Sequence, residues 1–223
     1  MTADSLILVA LAFAFAWSMG AHYTGACMGM PYATGSIRVW PALATMAVFV
    51  VIGASFLSHR VLTTVGHHLL DTSRLRTNAA SAIIAAAFIL TTLYNWLKIP
   101  TSTIQILVFS IVGAVLALHV HVEWKTIARL AAVWIVAPFA ALILGFVLTA
   151  ILDRVASLAN RARLVGRLLV IARWLASLTM GANDVSNATG VFITTHLSGF
   201  SIAGALGGAG LALGVLTWGR PLL

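Results

Sequence analysis

Runs of about twenty apolar residues recur along this chain, at roughly 39–58, 78–97 and 127–151, with further candidates at 101–118 and 199–218. Each is long enough for a helix to cross about 30 Å of hydrocarbon. An open strand leaves its backbone groups unsatisfied in lipid, so the runs must be helices. Composition agrees: 61% of residues are apolar and 8% charged, where a soluble domain carries about a quarter charged residues. A domain of this size has too little interior to bury so much apolar surface. The expected fold class is therefore an all-α membrane protein. A soluble enzyme, a nucleic-acid-binding module and a disordered chain are excluded.

The net charge of +8 sits in short gaps between the runs rather than in one basic patch, so no nucleic-acid partner is expected. Its densest group is Arg154, Arg161, Arg163, Arg167 and Arg173 beside a single acid, Asp153. That pattern marks 153–167 as a cytoplasmic loop under the positive-inside bias, setting topology and holding no ligand. The one cysteine, Cys27, has no internal disulfide partner, and its apolar setting suggests packing. Seven scattered histidines offer no metal-ligand spacing. The run at 6–17 follows Asp4 with no Lys or Arg ahead of it, so it reads as a retained membrane segment rather than a cleaved signal.

Two runs, 6–18 and 168–178, are too short for a full span, and each leads into a Gly-rich polar patch. The patches align without gaps: Met19-Gly20-Ala21-His22-Tyr23-Thr24-Gly25-Ala26-Cys27-Met28-Gly29 falls on Met180-Gly181-Ala182-Asn183-Asp184-Val185-Ser186-Asn187-Ala188-Thr189-Gly190, a displacement of 161 positions (20 to 181). Each copy is followed by an apolar span ending near an arginine, Arg60 or Arg220. Paired, Gly-interrupted apolar segments mark a transporter binding site. If all five segments between the two starts cross the membrane, their odd number inverts the second copy. With the arginine loop inside, the N-terminus falls outside. Arg38 and Lys98 then fall inside, and Arg60, Arg74 and Arg76 outside, against the bias. A re-entrant hairpin in place of two crossings changes the count. The expected organisation is a first repeat at 1–152, a basic cytoplasmic loop at 153–168 and the start of an incomplete second repeat at 169–223.

Asp184 is the one acid inside an apolar region. A carboxylate there costs several kcal/mol or more unless it meets a cation, a partner or water. Asn183 and Asn187 flank it, and the glycines Gly181 and Gly190, like Gly20 and Gly29 in the first copy, allow a helix to open. An unwound turn would add carbonyl oxygens to make a site for Na⁺. Two alternatives are proton uptake by the desolvated carboxylate and pairing with a structural arginine. Asn187-Ala188-Thr189 also spells a glycosylation sequon, but an embedded asparagine is no acceptor.

The second constellation is Pro100-Thr101-Ser102-Thr103-Ile104-Gln105, between two apolar segments. Proline and hydroxyl residues favour a helix start, whose free N–H groups and positive dipole end can hold an oxyanion. Plain capping is the alternative; polar groups starting a helix at membrane depth, however, need a watery cavity. His22 and Tyr23 stand where the other copy has Asn183 and Asp184. A packed, hydrogen-bonded histidine is expected there in preference to a titrating one. Gly204, Gly207, Gly208, Gly210 and Gly214 include GxxxG spacings that let helices approach closely.

Residues 181–190 resemble the GANDxxNxxG signature of the inorganic phosphate transporter (Pit) family, and Pro100-Thr101-Ser102-Thr103 is similar to that family's Pro-x-Ser-Thr/Ser motif. The resemblance extends over nearly the whole chain. It implies a multi-span helical transporter with inverted repeats and discontinuous helices, moving phosphate with Na⁺ or H⁺, with both signature copies at the substrate site. It also implies substrate contacts from Thr101, Ser102, Thr103, Gln105 and Asn187, and coupling-ion contacts from Asn183 and Asp184. Two departures stand out. The first copy has His22, Tyr23 and Ala26 where the signature has Asn, Asp and Asn, a loss shared with the family's sulfate-permease branch. The chain also stops at Leu223, before any second Pro-x-Ser-Thr element, as a truncated product would.

The expected function is secondary transport of inorganic phosphate, with sulfate as the alternative within the family. A membrane channel or interaction fragment is the alternative of another class. An intramembrane enzyme lacks any nucleophile–base pair. No cofactor is expected beyond Na⁺ or H⁺. The expected partners are phosphate or sulfate and membrane lipid; a homo-oligomer through 204–214 is an alternative disfavoured because it would bring a second copy of the first half; the expected location is the bacterial inner membrane, multi-pass. Residues 1–223 alone are expected to insert without transporting, because the inverted-repeat mechanism needs two half-sites.

Overall fold

The computed structural model describes residues 2–59, 77–119, 121–155, 158–194 and 200–223, so Arg60, Arg74 and Arg76 lie outside the described residues. The described chain is helical nearly throughout, with five helical segments long and apolar enough to cross a membrane. Helix α1 (Ala3–His22) starts at Thr2, whose side chain accepts from the Ser5 N–H. It hands over at Tyr23 to α2 (Thr24–Ala33). Helix α3 (Val39–Ile52) continues as a π-helical turn, Gly53–Leu57. Then come α4 (Thr77–Leu97), α5 (Thr103–Ala117), α6 (Trp124–Val155), α7 (Leu158–Thr194) and α8 (Phe200–Trp218).

The structure changes three sequence expectations. Residues 158–168, expected in a loop, are the first turns of α7; their leucine, alanine and arginine content favours helix. Helix α7 also runs unbroken through Gly181 and Gly190, and Gly20 and Gly29 lie inside α1 and α2. The discontinuities lie elsewhere, at Tyr23 and in the π-helical turn of α3.

The third change concerns crossings. Helix α4 ends where Lys98 takes a left-handed φ of 55°, and the Ile99 N–H reaches back to the Tyr94 carbonyl at 2.9 Å, a helix-stop bond spanning five residues. Pro100 follows, and Ser102 caps α5. The resulting tip lies beside residues 22 and 23, roughly 15 Å of helix rise short of the end of α2. Helix α5 has 15 residues, about 22 Å, short of the bilayer core. So α4 and α5 form a hairpin with its tip, Lys98 included, against the first signature copy; α4 is long enough to cross a membrane and α5 is not.

Glycine contacts display a pseudo-twofold relation between the two copies. A Cβ on Gly20 would strike the Leu211 carbonyl, and one on Gly181 would strike the Val50 carbonyl. Displacing 20 and 50 by 161 gives 181 and 211, so one contact is the image of the other. A Cβ on Gly53 would meet the Leu178 carbonyl and the Ala182 nitrogen; one on Gly214 would meet the Trp17 carbonyl and the Ala21 nitrogen, again 161 positions apart. The first repeat's α1 thus packs on the second repeat's α8, as α7 packs on α3. The glycines have a role different from helix opening: without Cβ they let backbones touch. Gly204, Gly207, Gly208 and Gly210 meet Ala54, Val185 and Thr189, Ala54, and Ala16 and Phe13. The face suggested for a second copy is therefore used within the chain. Phe15, Met19, Met28, Leu43, Met46, Val50 and Leu211 fill the core between these helices. Helix α6 stands apart, with Ile135, Phe139, Leu142, Leu144 and Phe146 all exposed.

Candidate functional site

The hairpin tip and the first signature copy form one hydrogen-bonded unit. Asn95, buried near the end of α4, donates through Nδ2 to the Ser18 carbonyl at 2.8 Å and to Ser18 Oγ at 3.1 Å. Its Oδ1 thereby faces His22 Nδ1 at 2.6 Å. On the other edge of the ring, His22 Nε2 lies 2.9 Å from the Thr101 carbonyl oxygen and 3.2 Å from the Thr101 nitrogen. Tyr23 Oη and Thr103 Oγ1 share a hydrogen bond of 2.8 Å. Ser18 Oγ also meets Thr92 Oγ1 at 3.0 Å. The packed, hydrogen-bonded histidine expected from sequence is what the structure contains.

Within the tip, Thr101 and Ser102 are half-buried and Thr103 fully buried. Ser102 Oγ accepts from the Gln105 N–H at 3.5 Å, the cap anticipated from sequence. Gln105 is half-buried one turn into α5.

The second copy approaches from α7. Asp184 is half-buried, and its Oδ1 accepts from Asn187 Nδ2 at 3.2 Å. Asn187 is buried, which agrees with its being no glycosylation acceptor, while Asn183 is exposed. The neighbouring Ser186 Oγ is buried without a hydrogen-bond partner. Among the described residues no lysine or arginine pairs with Asp184, so the structural ion pair weighed from sequence does not form there. Asp184 lies within electrostatic reach of Tyr23 and Cys27. Tyr23 and Asp184 are matching positions of the two copies, so the pseudo-twofold relation brings like to like at the site. Tyr23 hydrogen-bonds Thr103 and lies within electrostatic reach of Asp184. The unwound turn at Asp184 is absent, and its carbonyls remain in the α7 hydrogen-bond ladder.

Sequence reasoning missed Asn95, Thr92 and Ser18. The signal was available: an asparagine one turn from the end of an apolar span, with threonines at 91 and 92, is a polar cluster that needs partners in lipid. It also placed Arg173 with the loop cations. The structure buries Arg173 in α7, with Nε and Nη1 lacking hydrogen-bond partners. Cys27 is buried and unpaired, as expected.

Residues 19–166, more than half of the chain, match the model of the phosphate transporter family. The chain belongs to that family. It is an integral membrane protein of a transporter family rather than an enzyme family. Among curated phosphate transporter relatives and their neighbours, the sulfate permease CysP of Bacillus subtilis is 27% identical over 214 residues, covering 94% of this chain and 60% of the relative. A probable low-affinity inorganic phosphate transporter of Mycobacterium bovis is 30% identical over 199 residues, 86% of this chain and 48% of the relative. The chain thus spans about half to three-fifths of the length of these proteins. A solved structure titled the sodium-dependent phosphate transporter superposes with a TM-score of 0.80 at 18% identity, covering 100% of this chain and 77% of that one. At that identity the likeness establishes the fold.

Proposed function

We propose that the protein is a secondary active transporter of inorganic phosphate, driven by Na⁺ or H⁺ across a bacterial inner membrane. One observation carries the reading: the Pro100–Thr103 tip meets the first signature copy at His22 and Tyr23, and Tyr23 lies within electrostatic reach of Asp184 of the second. Thr101, Ser102, Thr103 and Gln105 supply hydroxyl, amide and helix-start donors to an oxyanion, with Asn187 opposite. Asp184 and Asn183 supply oxygens to Na⁺, or Asp184 takes a proton. The repeats at 1–152 and 169–223, with the basic segment at 153–168 on the cytoplasmic side, rock against each other around this point. Two relatives bear the name phosphate transporter or sulfate permease, and the fold neighbour's title supports Na⁺.

Phosphate and sulfate differ in protons rather than shape. Phosphate near neutral pH retains a P–OH that can donate to the Asp184 carboxylate, whereas sulfate only accepts. A site with a carboxylate therefore favours phosphate. Sulfate is the second reading, supported by His22 and Tyr23 in place of the signature's Asn-Asp and by the likeness to CysP. Uptake of labelled phosphate into proteoliposomes, with and without an imposed Na⁺ or H⁺ gradient, tests it: a carrier accumulates phosphate only with the gradient, and a channel merely equilibrates it.

A further inference from the structure

We infer that the cavity between Arg38 and Arg220 binds the phosphate headgroup of an anionic phospholipid. The cavity has a volume of about 500 Å³ and is lined by Arg38, Val39, Trp40, Pro41 and Arg220. Arg38 stands directly ahead of α3, and Arg220 opens a 3₁₀ turn, Arg220–Leu222, just beyond α8. The walls therefore come from both repeats. The turn is held against α2: a Cβ on Gly25 would strike the Leu222 carbonyl, and one on Gly219 the Thr24 side chain.

Two guanidinium groups meet there without an acid. Both arginines are exposed, and among the described residues neither forms an ion pair. Helix α3 has no side-chain cap, so the Val39 and Trp40 N–H groups and the positive end of the helix dipole belong to the same wall. Positive charges gathered in this way repel one another, and an anion between them turns repulsion into attraction. The planar guanidinium fork matches phosphate oxygens bidentately. The remaining lining groups, on Val39, Trp40 and Pro41, are apolar and suit glycerol and the first acyl carbons. A cavity of this volume falls within the range of about 300–1,000 Å³ that holds organic ligands. One inorganic phosphate would leave most of it, and all of its apolar wall, uncovered.

The helices set the cavity at headgroup level. Helix α8 has 19 residues, a rise of about 28 Å, so Arg220 falls near the edge of a hydrocarbon core about 30 Å thick. Trp40 and Tyr32, 63% and 40% exposed, stand at the ends of α3 and α2 as interfacial anchors do. Phe49 stacks on Trp174, and Gly53, one turn further along, meets Leu178 and Ala182. Helices α3 and α7 thus run in the same direction, and the start of α7, with Arg161, Arg163 and Arg167, lies at the face where Arg38 stands. Positive residues gather on the cytoplasmic face. That leaflet carries the anionic lipids, and basic pockets between helices on that side hold their headgroups. A zwitterionic lipid would bring its own ammonium towards the two arginines.

This site does not rest on the transport reading. The test is thermal unfolding of the protein in detergent micelles with increasing phosphatidylglycerol or phosphatidylcholine. Phosphatidylglycerol should raise Tm saturably, and phosphatidylcholine should not. Arg38→Gln and Arg220→Gln should each weaken the apparent affinity about ten- to a hundred-fold. Arg167→Gln, which removes an exposed arginine outside the cavity, should leave it unchanged. An equal rise with both lipids, or one unaffected by Arg38→Gln and Arg220→Gln, would overturn the site. So would an equal loss in all three variants, which would reduce it to general attraction by a basic face. A photoactivatable phosphatidylglycerol reads the unsubstituted protein directly. Label is expected on residues 38–41 and 219–223, and label confined to other segments would overturn the site. Excess inorganic phosphate separates the two sources of a phosphate group: label that persists supports the lipid, and label displaced from these segments would make the cavity a free-anion site instead.

Discussion

Gly20 of α1 lies against the Leu211 carbonyl of α8, with no room for a Cβ between them. The same contact recurs at Gly181 and Val50, displaced by 161 positions. The repeat is thus a set of paired backbone contacts as well as a sequence likeness, and these contacts place the His22–Tyr23 and Asn183–Asp184 segments at matching positions of the two copies.

Gly20→Ala and Gly181→Ala should therefore destabilise the protein alike, each by about 1–3 kcal/mol as overpacked sites do. Gly113 lies in α5 with open space around it, so Gly113→Ala should be neutral or stabilise by up to about 1 kcal/mol. Thermal unfolding of the three variants in detergent checks both signs. Equal Tm values for all three would contradict the close contacts.

Asn95→Leu should also lower Tm. The change leaves His22 Nδ1 without its partner, while the Ser18 carbonyl keeps its bond within α1, and a buried polar group left without a partner costs about 1–3 kcal/mol. Asn95→Asp should lower Tm as well, because its second carboxyl oxygen opposes the Ser18 carbonyl oxygen to which Nδ2 now donates. An unchanged Tm in both variants would show that these hydrogen bonds do not decide the position.

Replacing Ser102 and Thr103 with alanine should weaken phosphate affinity by about tens- to thousands-fold, each lost bond to a charged acceptor being worth about 1.5–3 kcal/mol. Thr103→Ala also frees the Tyr23 hydroxyl. Unchanged affinity, measured by displacement of labelled phosphate, would return the segment to plain capping.

Asp184→Asn should abolish ion-coupled accumulation while leaving membrane insertion intact, since removing an intramembrane charge eases insertion. Concentrative uptake at the unsubstituted rate would remove Asp184 from coupling.

Much of this was legible in the sequence, for identifiable physical reasons. Long apolar runs admit only helices, and the Met-Gly-Ala repeat marked the two segments that the structure brings together. The polar segment 100–105 was recognisable because serine at a helix start has a known use. What was not legible depended on tertiary partners. Gly181 reads equally as a helix breaker or a close-packing residue until Val50 is seen against it. Residues 158–168 are basic enough for a loop and helix-prone enough for α7, and continuity with the apolar run decided it. Asn95 gains its meaning only from His22 and Ser18, 73 and 77 positions away.

The central claim, that this site carries phosphate, is tested most directly by gradient-driven uptake of labelled phosphate from the complete reading frame, with unlabelled phosphate and sulfate as competitors. The account predicts accumulation that needs a Na⁺ or H⁺ gradient, that is lost in Asp184→Asn, and that is displaced by phosphate at lower concentration than by sulfate. Stronger displacement by sulfate would move the assignment to a sulfate permease, and absence of gradient-dependent accumulation would contradict a carrier altogether.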